Sequence, residues 1–202
     1  MMLLQTGQEA PAAKPEPDGA AAWAFRADET LPGRRPTVQL KGNAEDVRIE
    51  TRAGVVVYRP EHVARGAFEV AATLEVLKLA DHAEGYGVFL GGESVDRADA
   101  RYLYLLLGTD GRWTLRYRDG SRTAVIVPWT EATAILPTPP MGGSPANRLV
   151  VRVREDGITL AVNERTVASI ARSLLLGAST DGAVGLRLNH HMTVRARDLT
   201  IR

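Results

Sequence analysis

From residue 23 onward, apolar side chains recur at every second position. GAFEVAATLEVL (66–77) is the clearest case. Phe68, Val70, Ala72, Leu74 and Val76 fall on one face, and Ala67, Glu69, Ala71, Thr73 and Glu75 on the other. Period two marks a half-buried strand. The signal repeats in VRIE (47–50), GVVVY (54–58), YGVFLG (86–91), YLYLLLG (102–108), WTLRYR (113–118) and TAVIVPW (123–129). It continues through RLVVRVR (148–154), ITLAVN (158–163), RTVASI (165–170), AVGLRL (183–188) and TVRARDLTIR (193–202). DG dipeptides at 110–111, 119–120 and 156–157 separate several of these runs and supply the positive-φ residue of tight hairpins. In the last run Val194 and Ala196 share one phase and Leu199 and Ile201 the other, so a β-bulge is expected near Asp198. Helix is scarce: IARSLLLGA (170–178) suits a turn or two, and 130–147 reads as a proline-containing loop. So many short strands in this length predict an all-β, two-sheet antiparallel jelly-roll sandwich.

YLYLLL is apolar on both faces. Leu103, Leu105 and Leu107 share one face and are assigned to the core; Tyr102, Tyr104 and Leu106 share the other. If Trp113, Leu115 and Tyr117 also face the core, Arg116 joins the tyrosines on the outer surface. Tyrosine suits a groove, since its ring packs while its hydroxyl stays wet. Tyr102, Tyr104, Arg116 and Trp129 are therefore the expected ligand-binding residues. The competing reading is a central strand capped by a loop, with arginine stems packed over the rings.

The first 22 residues, MMLLQTGQEAPAAKPEPDGAAA, are too rich in Pro and Ala to bury a core. They are expected to form a disordered tail or the remnant of an export signal, ahead of one sandwich domain over 23–202. The chain carries 25 Lys and Arg against 24 Asp and Glu, a balance that argues against a nucleic-acid binder. Cysteine is absent, so neither disulfides nor thiolate metal sites contribute. No apolar run approaches the roughly 18 residues that would span a membrane. Nothing in the sequence fixes the oligomeric state.

The order of these segments resembles the concanavalin A-like lectin/glucanase sandwiches, closest to their laminin-G-like and DUF1080 (3-keto-disaccharide hydrolase-like) branch. The matching stretches are Asn147 to Val153, Ile158 to Asn163, Gly182 to Leu186 and Val194 to Ile201. Glu164 departs from the pattern, which has glycine after the asparagine. The resemblance implies a jelly-roll sandwich, often exported and associated with carbohydrate, hence a periplasmic or extracellular location.

Catalytic signatures are missing. Retaining glucanases on this fold carry an E-x-D-x-x-E strand, because two carboxyl groups must flank the sugar closely. Glu69 and Glu75 are too far apart along one strand for that task and read as a solvated face. GxSxG, CxxC and HExxH do not occur, and GGES (91–94) lacks the context of a phosphate loop. His62 and His82 are placed in loops before strands; with Asp81 and Glu84 near it, His82 is a candidate for metal or acid–base work. His190 and His191 are a poor chelate if on a strand, but in a turn both could reach one ion. The acidic loop ESVDRADAR (93–101) makes Asp96 and Asp99 the candidates for a rim calcium, with Arg97 and Arg101 opposing it. No other cofactor is expected.

Three functions fit: a non-catalytic carbohydrate-binding or adhesion domain, a glycoside hydrolase-like enzyme using Glu93, His82 and His62, or a protein-interaction sandwich without a small ligand. Imidazoles and carboxylates converging in the groove would favour the enzyme. A groove filled by the chain's own loop would favour the third.

Overall fold

Alternation along the chain becomes fourteen strands in the computed structural model, which describes residues 22–28, 37–79, 82–139 and 145–202. They are β1 (Ala24–Ala27), β2 (Val38–Gly42), β3 (Asp46–Thr51), β4 (Val55–Ala64), β5 (Phe68–Lys78), β6 (Gly85–Glu93) and β7 (Arg101–Gly108). Then follow β8 (Arg112–Asp119), β9 (Arg122–Glu131), β10 (Ala146–Arg154), β11 (Gly157–Val162), β12 (Arg165–Ala171), β13 (Gly182–Leu188) and β14 (Met192–Ile201). The first sheet has the order β1-β4-β13-β6-β7-β8-β9 and the second β12-β11-β10-β5-β14-β3-β2, each of seven strands. All pairings are antiparallel. The all-β, two-sheet sandwich expected from the sequence is the observed architecture.

The core lies between the sheets. Phe68, Val70, Ala72, Leu74 and Val76 of β5 enter it with Leu149, Val151 and Val153 of β10. Leu103, Leu105 and Leu107 of β7 and Trp113 and Leu115 of β8 enter from the first sheet. The outer face of the second sheet is charged. Arg195 donates from Nε and Nη2 to the Asp46 carboxylate, at 2.9 and 2.5 Å, and holds that carboxyl below its ordinary range. Glu69 is not the freely solvated group expected from alternation alone, because Arg152 and Arg202 both reach its carboxylate. Burial works to raise its pKa, but the two guanidinium groups outweigh this and leave it lowered.

The helix expected within 170–178 shrinks to a 3-10 turn at Arg172–Leu174. The bulge expected near Asp198 is present: the β14–β5 register shifts between Arg197 and Thr200, and Asp198 has φ 54°. His62 stands within β4 rather than in a loop, because β4 runs on through Pro60. Proline offers no N–H, and the β4–β13 ladder skips there, between the Gly185–Tyr58 and Ala183–Val63 pairs. The tail expected at 1–22 lies outside the described residues except for its last position.

Candidate functional site

The outer face of the first sheet is apolar at its centre. Tyr104 stands opposite Arg116, Tyr102 opposite Arg118 and Leu106 opposite Thr114. Tyr102 is only 1% exposed and Tyr104 5%. With Val56, Tyr58, Phe89, Val95, Ala100 and Leu106 they form a second, smaller core outside the sandwich. The rings pack on one another: Phe89 to Tyr102 is 5.4 Å between centroids and Tyr102 to Tyr104 5.6 Å. The 94–100 loop brings Val95 and Ala100 over them, and Arg26 Nε donates to the Val95 carbonyl at 2.9 Å. Burial raises the Tyr102 pKa. These rings therefore have no open stacking face, which corrects the groove drawn from alternation; period two reveals a face but not what folds back over it.

A charged group sits beside this small core. Arg187 of β13 is buried, its Nη2 donates to Asp28 Oδ2 at 2.6 Å, and its guanidinium lies 5.6 Å from the Tyr104 ring centroid. Arg26 and Arg118 stand 3.6 and 3.7 Å from Asp28 Oδ1. Gly54 makes room for the pair, since a Cβ there would come within 2.6 Å of Asp28 Oδ2 and 2.8 Å of Arg187 Nη2. Sequence reading missed Arg187 because it occupies one position of an otherwise apolar strand, and only the sheet order shows its partner on the chain's first described strand region.

Trp129 and Arg116 keep partial exposure. Two register shifts between β8 and β9 turn the indole onto the outer face. It lies over Gly85 and Gly108, where a Cβ would come within 3.1 and 3.3 Å of its ring. Arg112 and Arg116 bracket it, with guanidinium carbons 5.9 and 5.7 Å from the ring centroid. Arg112 is itself held by Asp110, Nε to Oδ2 at 2.8 Å.

The expected catalytic candidates are not brought together. His82 precedes β6, whereas Glu93 ends it and pairs with Arg101 at 2.8 Å. His62 lies toward the Glu93 end, packed edge-on against Trp23 at 6.3 Å, and burial lowers its pKa. Asp96 and Asp99 are exposed, and Asp99 pairs with Arg97 at 3.2 Å. Among the described residues, the one group of three His, Cys, Asp or Glu side chains spaced to share an ion is His82, Glu84 and His190, not Asp96 and Asp99. His191, at φ 56°, is not one of the three, although its ring lies edge-on to that of His190 at 5.4 Å. The sequence held the clue in H-x-E before a strand and NHH before the last one; the β6–β13 pairing joins them.

No protein-family model matches this chain, and no curated protein does. Solved structures do. A CBM66 carbohydrate-binding module from Bacillus subtilis superposes with a TM-score of 0.55 at 11% identity, over 90% of this chain and 95% of that one. A Bacillus subtilis protein of unknown function with a galectin-like fold gives 0.59 at 13%, over 91% and 90%. The exoplasmic/lumenal domain of VIP36, bound to calcium and mannose, gives 0.55 at 12%, over 90% and 84%. The fold shared with these structures is a two-sheet antiparallel β-sandwich. Among the described residues no helix is long and apolar enough to cross a membrane.

Proposed function

We propose that this chain is a carbohydrate-binding sandwich domain that works outside the cytoplasm and does no chemistry on its ligand. One observation carries the reading: a half-buried Trp129 ring on the outer face of a lectin-type sheet, flanked by the Arg112 and Arg116 guanidinium groups. Such a ring offers an apolar face to a sugar's C–H surface, and planar guanidinium forks donate to hydroxyls. Tyr102 and Tyr104 belong to the small core beside this platform and are not its contacts. A carbohydrate-binding module and a mannose-bound domain with the same fold support the assignment. A glycoside hydrolase reading lacks comparable support, since Glu93, His82 and His62 are held apart. Calcium at Asp96 and Asp99 stays within the proposal as an exposed rim contact.

The test is a thermal-shift and tryptophan-fluorescence screen against an oligosaccharide panel, with calcium present. Trp23 and Trp113 are buried in the core, so a ligand-induced emission change reports on Trp129. A saturable melting shift, with both signals lost in a folded Trp129→Ala variant, is the expected result. No shift across the panel with folded protein would end the sugar reading. It would leave a protein-interaction sandwich, which the closure of the tyrosine face by the chain's own 94–100 loop favours.

A further inference from the structure

We propose that His82, Glu84 and His190 form a binding site for a divalent transition-metal ion of the zinc class. His82 and Glu84 lie in the bend that leads into β6, which turns the imidazole back onto the carboxylate two residues on. His190 follows the end of β13, which pairs with β6, and Asn189 N donates to Gly85 O at 2.8 Å. Glu84 is fixed in turn by Thr109: its N–H donates to Thr109 Oγ1 at 3.0 Å, and Thr109 N–H to Glu84 O at 2.9 Å. The frame is thus held by backbone before any ion arrives.

Donor chemistry points to the ion. His82 Nε2 lies 2.7 Å and His190 Nδ1 2.5 Å from the same oxygen, Glu84 Oε1. The Glu84 side chain is only 3% exposed, and Oε1 has no hydrogen-bond partner although two imidazole nitrogens lie beside it. A buried carboxylate oxygen without a donor is costly. A cation shared by the three atoms removes that cost. Tetrahedral zinc with bonds of about 2.0 Å spaces its donors by roughly 3.3 Å, so each nitrogen–oxygen contact opens by less than about 1 Å to receive it. Two imidazoles with one carboxylate suit zinc, copper or nickel; calcium prefers an all-oxygen shell. The imidazoles are 57% and 53% exposed, which leaves the remaining coordination position to water and gives the ion a way in.

Tag-free protein stripped with a chelator is titrated with zinc by calorimetry and with cobalt by visible absorption. One equivalent of zinc is expected to bind and to raise the melting temperature. Cobalt is expected to develop visible bands of low-coordinate geometry. His82→Ala and His190→Ala each change an exposed side chain, so their folds should persist while affinity falls about tenfold or more. The variant His62→Ala, toward the opposite end of β6, is expected to bind as the parent does. Absence of saturable zinc binding by the folded parent, or binding that survives both His82→Ala and His190→Ala, overturns the proposal.

Discussion

Asn147 shows how much one buried amide can organise. It is fully buried at the start of β10. Its Nδ2 donates to the Tyr86 hydroxyl and to Leu136 O, both at 3.0 Å; its Oδ1 accepts from Leu136 N at 3.0 Å and Asn163 Nδ2 at 2.8 Å. One side chain thus joins β6, β10, the β11–β12 turn and the segment after β9. Burial pushes the Tyr86 pKa up to about 12, with the Asn147 hydrogen bond working against the rise. Asn147→Ala leaves several buried polar groups without partners. It is expected to destabilise the fold by about 3 kcal/mol, read as a lower urea midpoint with unchanged slope. The sequence marks Asn147 only as the head of an alternating run. Its partners come from segments distant in the chain, so its role could not be read from local pattern.

At the scale of elements, turn chemistry is the part most legible in the sequence. Gly111, Gly120 and Gly157 of the three DG dipeptides all have positive φ, at 86°, 57° and 155°. The two-residue connection between β11 and β12 is Asn163-Glu164, with φ 48° and 67°. Positive φ at both central positions is the I′ geometry, which favours Asn then Gly. Asn163 fits, and its amide also donates to Ala134 O at 2.9 Å. Glu164 carries a Cβ where the left-handed region disfavours one. Glu164→Gly is expected to raise stability by about 1 kcal/mol, seen as a higher melting temperature. The two-faced strand β7 was equally legible as two-faced. That its tyrosines lie under the 94–100 loop was not, because that loop is polar apart from Val95 and its alanines. Nothing in its composition says that it folds back.

Across the whole molecule, the layers differ in what their outer faces offer. The second sheet presents paired charges to water, while the first carries an apolar mound edged by Trp129 and arginines, with the histidine–glutamate cluster at one end of β6. Sequence alternation implied two layers. It could not order the strands, and the order is what sets β13 beside β6 and so places His190 against Glu84. The same order places β14 between β5 and β3, and Arg202 exchanges backbone hydrogen bonds with Glu69 at 2.7 and 3.0 Å. During synthesis this interior strand emerges after the other thirteen, so until then the second sheet is divided into two parts with facing open edges. Final assembly therefore waits for the segment beyond Leu188, and exposed edges in the waiting chain invite pairing with other molecules. A version ending at Leu188 is expected to be cleaved rapidly by protease under conditions where the 202-residue chain resists. Comparable resistance would mean that the two parts close without their shared central strand. A nascent chain of this protein would then depend on holding chaperones, between the emergence of β13 and that of β14, far less than its strand order implies.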